Sequence, residues 1–178
     1  MRRIASVLSS GILAAALVIG ISAAPVAAAD GTIVGVAVSY ESAHPGTFST
    51  LITALQCDPS AGFVDALESA GPFTVFAPTN AAFAKLGLNP ANVCSALPTK
   101  TLDNILAYHV VAGRELMAAN IYRHWGFNSP IKMLNGKYTL PTLFGGKPRI
   151  NFAKVIIPNV GASNGVIHVI DSVLVPLR

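Results

Sequence analysis

Apolar residues recur along this chain in two rhythms, a three-to-four-residue spacing through the first half and short runs between turn residues through the second. In "TFSTLITALQC" (Thr47 to Cys57), Phe48, Leu51, Ile52 and Leu55 stand at i, i+3, i+4 and i+7, which predicts one helical face. Thr47, just after the turn-forming "HPG", is the expected cap. "GFVDALESAG" repeats the spacing with Phe63, Val64 and Leu67, and Gly71 with Pro72 ends it. "TLDNILAYHV" sets Leu102, Ile105, Leu106 and His109 on one stripe, with a start at Thr99 or Thr101. In "NPANVCSAL", Asn89 and Pro90 read as cap and first helical residue. The opening "GTIVGVAVSY" satisfies neither period.

Between these helices "FTVF" (Phe73 to Phe76) reads as a strand that Pro78 stops, after which Thr79 offers its hydroxyl to the first amides of "NAAFAKL". From Val110 the pattern shortens into "IKML", "KYTL", "PRINF", "KVII" and "GVIHVI". Asn135-Gly136, Gly145-Gly146 and Asn164-Gly165 divide these segments, as hairpin and loop signals do. "GVIHVIDSVLVP" places Val166, His168 and Ile170 on one face and Ile167, Val169 and Asp171 on the other. Apolar on both, it is expected as a central strand. Neither a repeat nor a low-complexity linker divides the chain.

The N-terminus is different in kind. Arg2 and Arg3, the apolar "GILAAALVIGISA" and small residues at Ala27 and Ala29 have the layout of a cleavable secretory signal. Residues 1–29 are therefore expected to be removed and 30–178 to form one exported domain. The competing reading, a membrane anchor, is disfavoured by the short apolar core and by Pro25 after it. Without the two signal arginines, ten basic side chains face eight acidic ones, so nucleic acid is not an expected partner. The exported part carries 18 charged residues in 149, well below the usual quarter, and leaves Ser, Thr, Asn and apolar groups to form much of the surface.

Cys57 and Cys94 remain after the signal, and in an oxidising compartment pairing is the default; two separate buried thiols are the alternative. A lone cysteine nucleophile is disfavoured because no motif links Cys94 to His109.

Three segments in order, "FTVFAPTNAAF" (Phe73 to Phe83), "ILAYHVVAG" (Ile105 to Gly113) and "NGVIHVIDSVLVP" (Asn164 to Pro176), together resemble the fasciclin domain. The cysteine pair with "LGLNPANVCSALP" is similar to a bacterial branch of that family, which supports a Cys57–Cys94 bridge. The resemblance implies an α+β fold, a fasciclin-like twisted β sandwich or wedge with several packed helices. Thr79, Asn80, His168 and Asp171 would be motif residues of that scaffold. It also implies a non-catalytic adhesion or surface-interaction module, secreted or periplasmic, whose partner is an extracellular protein or polysaccharide. A few members of the family bind apolar small molecules such as carotenoids, which makes a carrier the second expectation. In some animal relatives the pair corresponding to Tyr108 and His109 is linked to receptor binding, so both are candidate contacts. "MAANIYRHWGFNSP" (Met117 to Pro130) departs from the family pattern and supplies Tyr122, Arg123, Trp125 and Phe127 as candidates in a contact loop; core aromatics are the plainer reading. "YESAHPG" (Tyr40 to Gly46) departs as well.

Catalytic and metal readings are weaker. "GASNG" matches the G-x-S-x-G elbow around Ser163, but an elbow needs a helix after the serine, and "VIHVIDSVLV" reads as strand. His109, His168 and Asp171 supply the groups of a triad or a metal site without its spacing, and buried histidines with backbone partners are expected instead. No cofactor is expected.

Overall fold

The computed structural model describes residues 31–123 and 129–176. The expected signal, residues 1–29, lies outside the described residues, as do Trp125 and Phe127.

Four helices precede most of the sheet: α1 (Ile33–Ala43), α2 (Ser49–Gln56), α3 (Phe63–Glu68) and, after strand β1 (Phe73–Pro78), α4 (Asn80–Ala84). Then come α5 (Thr99–Ala107), β2 (Val110–Ala112) and α6 (Ala118–Arg123). The strands β3 (Ile131–Lys132), β4 (Tyr138–Thr139), β5 (Pro141–Phe144), β6 (Lys147–Ile150), β7 (Ala153–Ala162) and β8 (Gly165–Ile170) follow. The opening segment of undecided period is thus a helix, begun by Thr32, whose hydroxyl accepts from the Gly35 amide.

Six strands form one sheet in the order β2-β1-β8-β7-β6-β5, and β3 pairs with β4 separately. Within the large sheet β1 and β8 run parallel, Phe73 opposite Gly165 through Pro78 opposite Ile170, while every other pairing is antiparallel. This explains why "GVIHVI" is apolar on both faces: β8 is central and each of its six residues is buried. On one side Val75 and Ala77 of β1 and Ile167 and Val169 of β8 pack against α1, α2 and α5 through Val36, Leu51, Leu102 and Leu106. On the other, Phe76 and Ile170 meet Tyr108, Leu116, Ile121, Ile131, Ile150 and Val155. Helices over one face and curled strands over the other give the α+β wedge.

Two glycines permit the parallel pairing. A Cβ on Gly165 would lie 2.1 Å from the Phe73 carbonyl oxygen, and one on Gly71 would lie 2.0 Å from the Asn164 carbonyl oxygen.

Two local expectations are corrected. "NPANVCSAL" makes a turn rather than a helix: Asn89 Oδ1 accepts from the Ala91 and Asn92 amides, but the chain is retained near Gly87 by Asn92 Nδ2 donating to its carbonyl. Thr47 does not cap α2, because its hydroxyl donates to the His44 carbonyl. The carboxylate of Glu41, from the end of α1, instead accepts from the amides of Gly46, Thr47 and Phe48, and these bonds hold its pKa below the ordinary carboxylate value. "KYTL" holds the two-residue β4, and β5 begins just after it at Pro141.

Candidate interaction surface

Thr79 and Asn80 lie where β1 turns into α4, and both act locally. The Thr79 hydroxyl accepts from the Ala82 amide, capping α4 as the sequence suggests. Asn80 reaches sideways to the start of α2: its Oδ1 accepts from the Thr50 amide at 2.9 Å and its Nδ2 donates to the Ser49 hydroxyl. The break at "APTN" is therefore a joint between two helices and the sheet.

His109 and His168 are buried, and both ring nitrogens of each have backbone partners. His109 Nδ1 donates to the Ile105 carbonyl at 2.7 Å and its Nε2 accepts from the Leu174 amide at 2.9 Å. His168 Nε2 donates to the Leu116 carbonyl at 2.7 Å and its Nδ1 accepts from the Asn159 amide. Burial pushes His109 down to about 4 and lowers His168 as well, so both are neutral at ordinary pH. Asp171 is similarly occupied: Oδ1 accepts from the Lys154 amide and the Ser172 hydroxyl, and Oδ2 lies 3.8 Å from Lys85 Nζ.

These bonds leave the histidines no nitrogen for Ser163. Ser163 itself lies in the two-residue turn between β7 and β8, with its amide on the Gly31 carbonyl, and a strand follows it. Among the described residues no group of three His, Cys, Asp or Glu side chains could hold a metal ion.

Tyr108 and His109, the candidate contact pair, are buried, each 3% exposed. Tyr108 follows the α5 stripe into the core and its hydroxyl donates to the Tyr138 carbonyl while accepting from Asn151 Nδ2. Tyr108 holds the end of α5 to β4, and His109 holds it to the segment after β8 at Leu174. Tyr122 and Arg123 end α6, whose first amide, from Ala118, donates to Asn159 Oδ1. Cys57 and Cys94 are bonded, with Cα atoms 5.3 Å apart.

One joint was not singled out from the sequence. Asn164 Oδ1 accepts from the Ile33 amide at the head of α1, and its Nδ2 donates to the carbonyls of Leu67 and Ser69 at the end of α3. As half of an Asn-Gly turn signal it looked local, and only the packing of α1 and α3 beside that turn gives it a second task.

A surface also emerged that spacing had hidden. From Leu116 to Ile170 the sequence holds six Lys or Arg and no Asp or Glu. The pairing of β5, β6 and β7 puts Thr142 opposite Arg149, Phe144 opposite Lys147, and Arg149 opposite Lys154, which places these side chains on one outer face. The Arg149 guanidinium lies over the Phe144 ring, 5.0 Å from its centroid, and donates to the Phe152 carbonyl, while its Nε has no hydrogen-bond partner. Phe144 is 72% exposed and Phe152 86%. Next to Phe152 a cleft of about 490 Å³ opens between Leu140 and Thr142 on one side and Val173 to Val175 on the other. Alternation of Lys147 and Arg149 in "KPRI" was the available signal for this face.

Comparison with known proteins agrees with the geometry. The family profile of the Fasciclin domain matches residues 46–176. Protein sll1483 of Synechocystis sp. is 43% identical over 149 residues, which cover 82% of this chain and 73% of that protein. Immunogenic protein MPB70 of Mycobacterium bovis is 39% identical over 132 residues, covering 72% and 63%. Cell surface glycolipoprotein MPB83 of the same species is 34% identical over 159 residues, covering 82% and 64%. Among solved structures, the FAS1 domain pair of the insect cell adhesion molecule fasciclin I superposes with a TM-score of 0.64 at 19% identity; the match covers 83% of this chain and 51% of that one.

Proposed function

Because the chain belongs to the fasciclin domain family, we propose that it is an exported, non-catalytic surface-interaction module that binds an extracellular protein or polysaccharide. The observation that carries this reading is how the polar side chains are used. His109, His168, Asp171, Asn80 and Asn164 are all committed to joints within the scaffold, while large apolar side chains such as Phe144 and Phe152 are left in solvent. Exposed aromatics beside arginine favour recognition over chemistry. In this reading residues 1–29 direct export, residues 30–178 act as one domain, and the product is secreted or periplasmic. No helix among the described residues is long and apolar enough to cross a membrane. Kinship with a cell surface glycolipoprotein is consistent with that location.

Contacts would come from the segment carrying Tyr122, Arg123, Trp125 and Phe127 and from the outer face of β5 and β6. The test is recovery of partners from cell-surface protein and polysaccharide fractions by the wild type, Trp125→Ala and Phe144→Ala proteins. A partner retained by the wild type and lost by one variant assigns the surface. Equal retention by all three removes both surfaces, and hydrolysis of ester substrates that disappears in Ser163→Ala would replace the reading with an enzymatic one.

A second reading has its own observation. The cleft beside Phe152 falls within the roughly 300–1,000 Å³ typical of small-molecule sites, which favours a carrier of an apolar ligand such as a carotenoid. Visible absorbance retained through purification, or acquired on incubation with pigment, is its test.

A further inference from the structure

We infer that the outer face of β5, β6 and β7 binds a linear acidic polysaccharide, with Lys147, Arg149 and Lys154 meeting successive negative groups and the Phe144 ring meeting a sugar face. This rests on the surface-module reading and names the chemistry of the partner.

Charge is divided along this chain. Seven of the eight acidic residues precede Leu116, and the six basic residues from there to Ile170 meet no acid before Asp171. Strand register gathers three of the six on one face: Arg149 stands opposite Lys154, and Lys147 lies two residues from Arg149 on β6. Such positions are about 5 Å apart across a pair and about 7 Å apart along a strand. No ion pair joins the three to a carboxylate among the described residues. Asp171, whose Oδ1 accepts from the Lys154 amide, has its other oxygen 3.8 Å from Lys85 Nζ. Arg149 is already held in place, since Nη1 donates to the Phe152 carbonyl and the guanidinium lies 5.0 Å from the Phe144 ring centroid. Ordering made before a ligand arrives lowers the cost of binding it.

The shape of the face narrows the partner. None of the three cations lines the cleft beside Phe152, which is reached from the opposite face of these strands, that of Ala153. A small anion is held in a concavity, whereas an open row of like charges suits a chain that lies across it and carries charge at intervals. Phe144, 72% exposed and opposite Lys147, ends the row with apolar surface on which the C–H face of a sugar ring can be buried. A protein partner would centre on an anchor side chain seated in a pocket, and the cleft lies on the other side of the strands. A bilayer would draw Phe144 among acyl chains, but its ring carries the Arg149 guanidinium, and taking that charge below the headgroups is costly.

Calorimetric titration of the purified exported protein with polygalacturonate, which carries a carboxylate on each sugar, tests the inference; dextran, polyglutamate and vesicles of anionic phospholipid are the comparisons. Polygalacturonate is expected to bind about tenfold or more tightly than uncharged dextran. It should lose most of that affinity between about 0.15 M and about 1 M salt, as the screening length falls from about 8 to about 3 Å. Lys147→Gln/Lys154→Gln leaves the Arg149 contacts in place and should cost about fivefold, the scale of two exposed charge contacts. Lys100→Gln/Lys132→Gln removes the same charge from exposed positions on α5 and β3 and should cost less than about twofold. Phe144→Ala should weaken binding at both salt concentrations. Circular dichroism establishes that the variants are folded. Equal affinity for dextran, indifference to salt, or equal losses in the two double variants overturns the inference. So does polyglutamate or vesicle binding as tight as that of polygalacturonate, which assigns the face to an acidic protein or a lipid surface. No polysaccharide binding, with a cell-surface protein recovered by the wild type and lost in Phe144→Ala, overturns the inference alone and leaves the surface-module reading standing. No binding together with equal recovery by wild type, Trp125→Ala and Phe144→Ala overturns the inference and removes both surfaces of that reading.

Discussion

Replacing Asn164 removes one side chain that joins three elements, and its cost can be worked from the bonds it makes. Its Oδ1 accepts from the Ile33 amide at 2.9 Å, and its Nδ2 donates to the carbonyls of Leu67 and Ser69 at 2.7 and 2.8 Å. Each such bond contributes about 0.5–1.5 kcal/mol net, so Asn164→Ala should cost about 2–4 kcal/mol, a large share of the ~5–15 kcal/mol that holds a domain folded. Asn164→Asp separates this account from simple loss of packing. It retains an acceptor for Ile33 but turns an oxygen toward two carbonyls, so it should be at least as destabilising as alanine although it is nearly isosteric. Urea unfolding followed by circular dichroism gives the stability, and hydrogen exchange of the Val36 amide, bonded to the Thr32 carbonyl in the first turn of α1, reports whether that helix is released. Stability of Asn164→Ala within about 0.5 kcal/mol of wild type, or Asn164→Asp markedly more stable than Asn164→Ala, would refute the reasoning.

Three further outcomes follow from the same structure. Reducing Cys57–Cys94, which closes a separation of 37 residues, should cost about 4 kcal/mol in the chain-entropy account and lower Tm by about 8–15 °C; a fall of less than about 2 °C in calorimetry contradicts it. His109 is neutral when folded, with a pKa of about 4 against the ordinary 6.5, so the unfolded chain binds its proton first as pH falls. Stability contributed by the neutral ring is complete above about pH 6.5 and should fall by about 2 kcal/mol between about pH 7 and 5, before most carboxylates protonate; His168 acts in the same direction, and a flat urea midpoint across that window removes the effect. Gly165→Ala sets a Cβ against the Phe73 carbonyl within the parallel pairing and should cost about 3 kcal/mol or more, whereas Gly161→Ala, with nothing within 4 Å, should be near neutral in the same denaturation series.

Legibility in the sequence followed the range of the interaction. The stripes of α2, α3 and α5, the strand β1 with its Thr79 cap and the two-faced β8 all appear as local patterns because each depends on residues within a few positions of one another. The opening helix was ambiguous for the same reason: "IVGVAVSYESA" mixes β-branched residues with Gly35, and its state is decided by what it packs against. At Asn89 a good cap and proline begin a turn that never propagates, since the hydrogen bonds of Asn92 return the chain to Gly87.

By itself the sequence determined the stripes of α2, α3 and α5 and the strands β1 and β8, that two cysteines were available to pair, and, through three segments in order, the family and its α+β wedge. Tertiary structure alone decided that β1 and β8 run side by side across some ninety residues of chain, that the Glu41 carboxylate gathers the amides of the turn leading into α2, and that Tyr108 and His109 face inward. It also gathered Lys147, Arg149 and Lys154 on one face beside exposed phenylalanines, although no linear stretch reads as a basic patch. Local preference acts over one turn or one pleat, whereas sheet register and burial are fixed by the free energy of closing long loops around a shared core, to which every segment contributes at once.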